Sequence, residues 1–169
     1  MQNKIILVAH NLRSCHNVGS LLRTAEGLGV DVVILSGYTP YPVKDGDNRM
    51  PHIANKLHKQ ISKTALGAEE TQAWKHYETI EEVLDYLKVE GYQLAAVEQA
   101  SNSIPLPGFR PPEKLALLMG REVEGVEPEI LARCDQIIEI PMFGSKESFN
   151  VVQAAAMALY HCRFTPFNA

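Results

Sequence analysis

Short apolar runs recur along the chain and are separated by longer amphipathic or polar segments. The runs that have the length of buried strands cover residues 5–8, 32–35, 94–97, 115–119 and 137–140. Because they show no regular alternation of apolar and polar residues, they are typical of a parallel sheet that is covered on both faces. The pattern therefore predicts an α/β fold with a parallel sheet and helices on both faces.

Helical patterns lie between these runs and after the last of them. They predict helices over residues 18–28, 49–63, 79–89, 128–132 and 151–160. Thr79 and Glu82 form a capping box at the start of the third helix, and Gly91 supplies its stop. The segment 104–112 is rich in proline and glycine and is predicted to be a long loop within the domain. The last helix is rich in alanine, so it can pack closely against another surface, such as that of a second subunit.

Composition narrows the class of protein. The 169 residues suit one domain, which we expect to cover 1–169, and 46% hydrophobic with 21% charged residues is typical of a globular chain. No apolar run reaches the roughly 20 residues that span a bilayer, and no signal peptide precedes the first strand, so we expect a cytoplasmic protein. The three cysteines, Cys15, Cys134 and Cys162, are widely spaced. We therefore expect reduced thiols and no metal site.

The net charge of −4 indicates that any contact with nucleic acid is confined to part of the surface. Binding to phosphates calls for clustered lysine and arginine. One candidate group consists of Arg13 and Arg23 near the N-terminus. A second candidate group, which is equally compatible with an ordinary solvated helix face, consists of Arg49, Lys56, His58, Lys59 and Lys63.

Three segments combine residues that are suited to chemistry. In the first, Arg23 follows Asn17 by six residues, nearly two helical turns, so both side chains can face the same side, and Asn17 is predicted to cap the helix. The second, residues 118–126, is a strand that ends in a glycine, where a ligand can approach the backbone. The third, residues 140–150, is a Pro-Met loop followed by polar residues that can cap the last helix. Each segment taken alone is also compatible with an ordinary cap or turn.

In order and spacing, the three segments resemble the motifs of the SpoU/TrmH family of SPOUT methyltransferases. Those motifs are an Asn followed six residues later by Arg, a strand ending in Gly-x-Glu-x-x-Gly, and Ile-Pro-Met-x-Gly-x-x-x-Ser-x-Asn before the last helix. The resemblance covers essentially the whole chain and implies a C-terminal trefoil knot. It also implies S-adenosylmethionine as cofactor, methylation of a ribose 2′-hydroxyl in tRNA or rRNA, and a homodimer in which the partner completes each active site. The N-terminal RNA-binding extension of many relatives is not expected here.

The resemblance also implies roles for individual residues. The cofactor is expected to contact Val97, Glu98, Gly120, Ile140, Met142, Ser148, Phe149 and Asn150. The catalytic residues are expected to be Arg23, Asn17, Glu122, Ser148 and Asn150. Arg23 is always charged, so it is assigned to holding an RNA phosphate and stabilising charge that develops on the 2′-oxygen, while the others position it, the ribose and the loops. Phe149 and Val152 depart from the usual Leu and Ser, which changes the shape of the pocket and removes a polar group.

Two other functions remain open at this point. Cys15, beside His16, is a candidate nucleophile for methylation of a base carbon. A module with the same fold could instead bind RNA without catalysis, in which case it would bind no cofactor. A dinucleotide-dependent oxidoreductase is disfavoured because the glycine fingerprint of that class is missing.

Overall fold

Seven strands form one parallel sheet in the computed structural model, which describes residues 2–167. In chain order they are β1 (Lys4–His10), β2 (Val32–Ser36), β3 (Trp74–Tyr77), β4 (Gln93–Val97), β5 (Ile104–Pro105), β6 (Lys114–Met119) and β7 (Gln136–Glu139). Their spatial order is β3-β2-β1-β6-β4-β7-β5. The five strands predicted from apolar runs are confirmed. The two missed strands, β3 and β5, are the edges of the sheet, where a strand has a neighbour on one side only.

Six α-helices lie within the same residues. They are α1 (Cys15–Gly27), α2 (Pro51–Ala65), α3 (Ala68–Thr71), α4 (Ile80–Glu90), α5 (Pro128–Leu131) and α6 (Val151–Phe164). The capping box of Thr79 and Glu82 is present, and Gly91 ends α4 in a left-handed conformation, as predicted. The segment 104–112 is not wholly a loop, because it contains β5 and a short 3₁₀ turn, Leu106–Gly108. Within the described part of the chain, no helix combines the length and the apolarity that a membrane crossing needs.

The start of α1 differs from the prediction. Ser14, not Asn17, is the N-cap, and its side-chain oxygen accepts a hydrogen bond from the Asn17 backbone N–H. The helix therefore begins at Cys15, one turn earlier than predicted, and Asn17 lies in its first turn. The Asn17 side chain, which does not cap the helix, is free to contact another element.

Successive residues of each central strand point to opposite faces of the sheet. Ile5 and Leu7 of β1 pack in the core that α1, α2 and α6 cover, whereas Ile6 and Val8 pack in the core that α4 and α5 cover. All four side chains are buried. Helices on both faces explain why the strands read as continuous apolar runs.

Gly19 brings α1 and α2 into close contact. A Cβ atom at this position would overlap the Ile61 carbonyl oxygen and the Thr64 hydroxyl of α2. Thr64 Oγ1 also donates a hydrogen bond of 2.8 Å to the His16 carbonyl oxygen, so the N-terminal half of α1 is held against the C-terminal half of α2. The absence of a side chain at Gly19 is therefore a packing requirement.

Alanine substitutions at two glycines of α1 should change stability in opposite directions. Gly19→Ala should lower the free energy of unfolding by about 1–3 kcal/mol, because the added methyl group forces the two helices apart. Gly27→Ala is the matched control: nothing lies within 4 Å of the added atom, and a less flexible unfolded chain should raise that free energy by about 0.4–1 kcal/mol. Urea unfolding monitored by circular dichroism measures both changes. Equal effects of the two substitutions would contradict this account of Gly19.

The strands β6, β4 and β7 are neighbours, so the loops that follow their carboxyl ends meet at one edge of the sheet. These loops cover residues 98–103, 120–127 and 140–150. In open α/β sheets, ligands bind at the carboxyl ends of the strands. This edge is therefore the place to look for a functional site.

Candidate active site

An open cavity lies between the three loops at the carboxyl ends of β4, β6 and β7. Of the eight residues predicted to contact a cofactor, seven line it: Val97, Glu98, Gly120, Ile140, Met142, Ser148 and Phe149. Glu122 lines it as well. The eighth, Asn150, does not line the cavity; it is the N-cap of α6, where its side chain accepts a hydrogen bond of 2.9 Å from the Val152 backbone N–H.

A tight turn after β6 forms one wall of the cavity. Arg121 and Gly125 close it with two backbone hydrogen bonds of 3.1 Å, each donating to the carbonyl oxygen of the other. A Cβ atom on Gly120 would lie 2.5 Å from both the Gly125 carbonyl carbon and the Val126 nitrogen. Gly120 must therefore be a glycine for the turn to fold back against the end of the strand.

The second glycine of the turn meets the loop after β4. Gly125 has a φ of +71°, which favours glycine, and a Cβ atom there would overlap the carboxylate of Glu98. The same carboxylate accepts hydrogen bonds from the backbone N–H groups of Val126 (3.1 Å) and Gln99 (2.9 Å). Glu98 thus joins two of the loops around the cavity, and its side chain stabilises the wall.

Glu122 connects the cavity to the start of α1. Its carboxylate accepts hydrogen bonds from the backbone N–H groups of Arg13 (3.1 Å) and Ser14 (3.1 Å) and from the side-chain amide of Asn17 (3.3 Å). Burial alone would raise the pKa of Glu122, but hydrogen bonds to backbone groups and to Asn17 outweigh it and lower the pKa below its usual value. The carboxylate is therefore charged at neutral pH and holds the first turn of α1 against the cavity wall.

A second set of polar contacts connects the same turn to the end of β1. Glu127 accepts a hydrogen bond of 3.5 Å from the Asn11 side chain and lies 3.6 Å from Arg121 Nε and 3.9 Å from His10 Nε2. His10 is buried, and burial lowers its pKa, so its ring is neutral at pH 7 and contacts the Ser36 hydroxyl at 2.9 Å. These residues hold the loop after β1 against the segment after β6. These contacts were not predicted, because each of these residues is a single polar side chain at or after the end of a strand, and the sequence does not reveal that the side chains meet.

The loop before α6 is fixed to the loop after β4 by another contact that was not predicted. Gln99 Nε2 donates a hydrogen bond of 2.6 Å to the Glu147 carbonyl oxygen, and both residues line the cavity. Val152, where many similar proteins are expected to have Ser, packs against the core and is half-buried. An apolar residue is therefore well placed at that position.

Asn17 and Arg23 lie on α1, outside the cavity lining of their own chain. Asn17 is tied to the site through Glu122, whereas Arg23 is exposed. Among residues 2–167, no ion pair or hydrogen bond of the Arg23 guanidinium is found. The structure thus brings together Asn17, Glu122 and the cavity residues, whereas Arg23 is exposed and lies outside the cavity lining of its own chain.

The cysteines do not lie at the site. Cys15 is half-buried in the first turn of α1, and burial raises the pKa of its thiol. Burial also raises the pKa of Cys134 to about 11 and that of Cys162 to about 12. A protonated thiol is a weak nucleophile, and Cys15 does not line the cavity. These observations disfavour the cysteine mechanism.

Comparison with known proteins identifies relatives of this chain. The SpoU rRNA Methylase family matches residues 4–160. The chain is 31% identical over 159 residues to the 23S rRNA (guanosine-2′-O-)-methyltransferase RlmB of Neisseria meningitidis serogroup B, covering 94% of this chain and 58% of the relative. It is 30% identical over 154 residues to the tRNA (guanosine(18)-2′-O)-methyltransferase of Escherichia coli K12, covering 91% and 60%. The chain therefore spans about three-fifths of the length of these curated relatives.

Solved structures share the fold. The AdoMet-bound rRNA methyltransferase of Sinorhizobium meliloti superposes with a TM-score of 0.78 at 19% identity, over 95% of this chain and 56% of that one. A structure solved to explain the 2-OH methylation of C/U34 on tRNA superposes with a TM-score of 0.73 at 24% identity, over 94% and 93%. The agreement with SpoU-type structures implies that the predicted C-terminal trefoil knot is present.

Proposed function

The chain belongs to the SpoU rRNA methylase family, and on this premise we propose that it transfers the methyl group of S-adenosylmethionine to a ribose 2′-hydroxyl of tRNA or rRNA. The observation that supports the proposal is the hydrogen-bonded connection, through Glu122, between a cavity at the carboxyl edge of the sheet and the helix that carries Asn17 and Arg23. Both curated relatives are named as ribose methyltransferases of RNA. A protein of this kind needs one pocket for the methyl donor and one for the ribose.

The cavity suits the methyl donor. When bound, S-adenosylmethionine supplies a methyl group that is already activated on a sulfonium. Gly120 and Gly125 line the cavity, and because neither position tolerates a Cβ atom, they let the turn pack against Glu98 and form this wall. Ile140 and Met142 would hold the adenosine part from the loop after β7, and Ser148 with Phe149 would close the pocket from the side of α6. Val97 and Glu98 would contact it from the loop after β4.

The catalytic task left to the chain is mainly positioning. The 2′-hydroxyl must lie in line with the methyl group, form the new O–C bond as the S–C bond breaks, and release its proton. Arg23 is a poor base, so we assign it to an RNA phosphate and to the charge that develops on the 2′-oxygen, with a phosphate oxygen as proton acceptor. Asn17 and Glu122 would position this helix. Asn150 would act indirectly, by holding the start of α6 and therefore Ser148.

The active protein is proposed to be a homodimer in which Arg23 of one subunit serves the cavity of the other. Arg23 is exposed and lies outside its own cavity lining. The outer face of α6 carries exposed aromatic side chains, Tyr160 (60% exposed) and Phe164 (67%), which offer an apolar contact for a second copy.

Complementation tests the shared site. Co-expression of Arg23→Ala and Gly120→Ala chains should restore about a quarter of wild-type activity, because random pairing makes half of the dimers mixed and each mixed dimer has one intact site. Each variant expressed alone should be inactive. Sedimentation of the wild-type protein gives the oligomeric state independently. If circular dichroism shows that both variants are folded and sedimentation shows that they pair, a mixed dimer without restored activity would mean that Arg23 serves its own subunit.

The reaction itself is tested in cells and with purified protein. Mapping of 2′-O-methylation across total RNA should show one nucleotide, or a small set, that loses its methyl group in a deletion strain and regains it when the gene is returned. Calorimetry should show binding of S-adenosylmethionine. Absence of binding heat would favour the non-catalytic RNA-binding module, and cofactor binding without any change in ribose methylation would contradict ribose as the acceptor.

A further inference from the structure

One face of α2 carries a continuous row of basic side chains. His52, Lys56, Lys59 and Lys63, here called the α2 stripe, are separated by four, three and four residues, so they lie one above the other on the same side of the helix. All four are exposed. The helix contains no acidic residue, although the whole chain has a net charge of −4. Positive charge is therefore concentrated on this face.

The α2 stripe is not used for folding. The buried residues of the helix, Ala54, Ile61 and Ala65, lie on the opposite face. Among the residues that the structure describes, none of the three stripe lysines has an ion pair. The charge of these lysines is therefore available to a partner.

The structure also corrects the second basic group that the sequence suggested. Arg49 is bound by the Asp47 carboxylate and the Tyr41 and Pro42 carbonyl oxygens, so it is committed to the loop before α2. His58 lies off the stripe and accepts a hydrogen bond from the Val43 backbone N–H. When Arg49 and His58 are left out of the group and His52 is included, the remaining basic residues form a single row on one face of α2.

The position of α2 relates the stripe to the active site. Its C-terminal half packs directly on the N-terminal half of α1, through Gly19 and the hydrogen bond from Thr64 to His16. The helix that carries Asn17 and Arg23 is therefore the immediate neighbour of α2, and the stripe lies on the outer face of α2, opposite its buried residues. A long polyanion whose ribose lies at α1 would meet the basic outer face of α2 where it extends beyond α1.

We propose that the α2 stripe binds phosphates of the RNA substrate, an inference that rests on the proposed function. Neighbouring lysines are about 4.5 to 6 Å apart along the helix axis, and their long side chains can adjust to successive phosphates. Lysine is suited to phosphate contacts that position RNA without reading its sequence. Each contact made would release counterions, so the stripe should appear in the salt dependence of binding.

The test compares two triple variants that lose the same charge. Lys56→Gln, Lys59→Gln and Lys63→Gln remove the stripe lysines. The control carries Lys88→Gln, Arg110→Gln and Arg133→Gln. These three residues come shortly before β4, β6 and β7, respectively, so they lie at the amino ends of the strands, whereas the cavity lies at the carboxyl ends. Binding of tRNA and of rRNA fragments is measured by fluorescence anisotropy over a range of salt concentrations, and methyl transfer is measured with the RNA that the wild type methylates.

The stripe variant should bind RNA at least about tenfold more weakly at low salt, and the slope of log K against log salt concentration should fall in magnitude by about 2 to 3, since each phosphate contact contributes about 0.7 to 0.9. KM for RNA should rise while kcat and the affinity for S-adenosylmethionine stay within about twofold. The control should match the wild type in all of these quantities. A stripe slope equal to that of the control overturns the inference and leaves α2 as a solvated face or a site for an acidic protein.

Failure of this inference differs from failure of the proposed function. If the wild type transfers methyl groups to RNA and the stripe variant has an unchanged salt-dependence slope, only the proposal that the stripe binds RNA is refuted. A stripe-dependent slope without methyl transfer by the wild type would support the stripe and refute the proposed reaction. A wild-type protein that binds no RNA in any of these assays would refute the stripe directly.

Discussion

Replacing Arg23 with alanine should abolish detectable methyl transfer to RNA while leaving the affinity for S-adenosylmethionine nearly unchanged. Arg23 is exposed on α1 and does not line the cavity, so the cofactor pocket should remain intact without it. Removal of one group that stabilises developing charge typically costs about 100- to 1000-fold in rate, and loss of a phosphate contact adds to this. Calorimetry measures the cofactor affinity, and single-turnover methylation of the mapped RNA measures the rate.

Two further variants make the Arg23 result specific. Arg23→Lys keeps the charge but not the planar fork that can hold a phosphate and an oxygen together, so it should recover only a small part of the activity. Cys15→Ala on the same helix should keep full activity; its inactivation with intact folding would instead favour the cysteine mechanism. A comparable loss of cofactor affinity and of rate in Arg23→Ala would mean that Arg23 supports the pocket rather than the reaction.

The central fold was predictable because its signals are local. The buried strands read as apolar runs, and the ends of α4 follow from Thr79, Glu82 and Gly91. The edge strands β3 and β5 were missed for a physical reason: one is a four-residue mixture of aromatic and polar side chains, the other has two residues, and both are defined by pairing with a distant strand. The predicted N-cap of α1, Asn17, was wrong because Ser14 and Asn17 are both good capping residues, and the local sequence does not distinguish between them.

The site was predictable only in part. Seven of the eight residues that the resemblance predicts to contact the cofactor line the cavity. The resemblance does not reveal which contacts hold them there. Glu122 contacts the Asn17 side chain across 105 positions of sequence, and Glu98 contacts the Val126 backbone across 28. Contacts at such distances are created by the order of strands in the sheet, which composition and periodicity do not reveal. The requirement for glycine at position 120 likewise depends on the backbone of Gly125 and Val126, which folds back against it.

Gly120→Ala should eliminate measurable binding of S-adenosylmethionine and therefore methyl transfer. The added Cβ would lie 2.5 Å from two backbone atoms of the returning chain, the Gly125 carbonyl carbon and the Val126 nitrogen. Backbone atoms cannot rotate away as the end of a side chain can, so the turn must open. Opening would displace Gly125 from Glu98 and Glu122 from α1, and the free energy of unfolding should fall by about 1–3 kcal/mol.

Gly144→Ala is the matched control, because Gly144 lies in the loop before α6 and nothing stands within 4 Å of the atom that the substitution adds. It should bind the cofactor with wild-type affinity. Circular dichroism and urea unfolding show whether Gly120→Ala remains folded, and calorimetry on the folded protein then reports the pocket alone. Because the clash is set by backbone positions rather than by any polar group, a folded Gly120→Ala protein with unaltered cofactor affinity would mean that the ligand does not contact this turn.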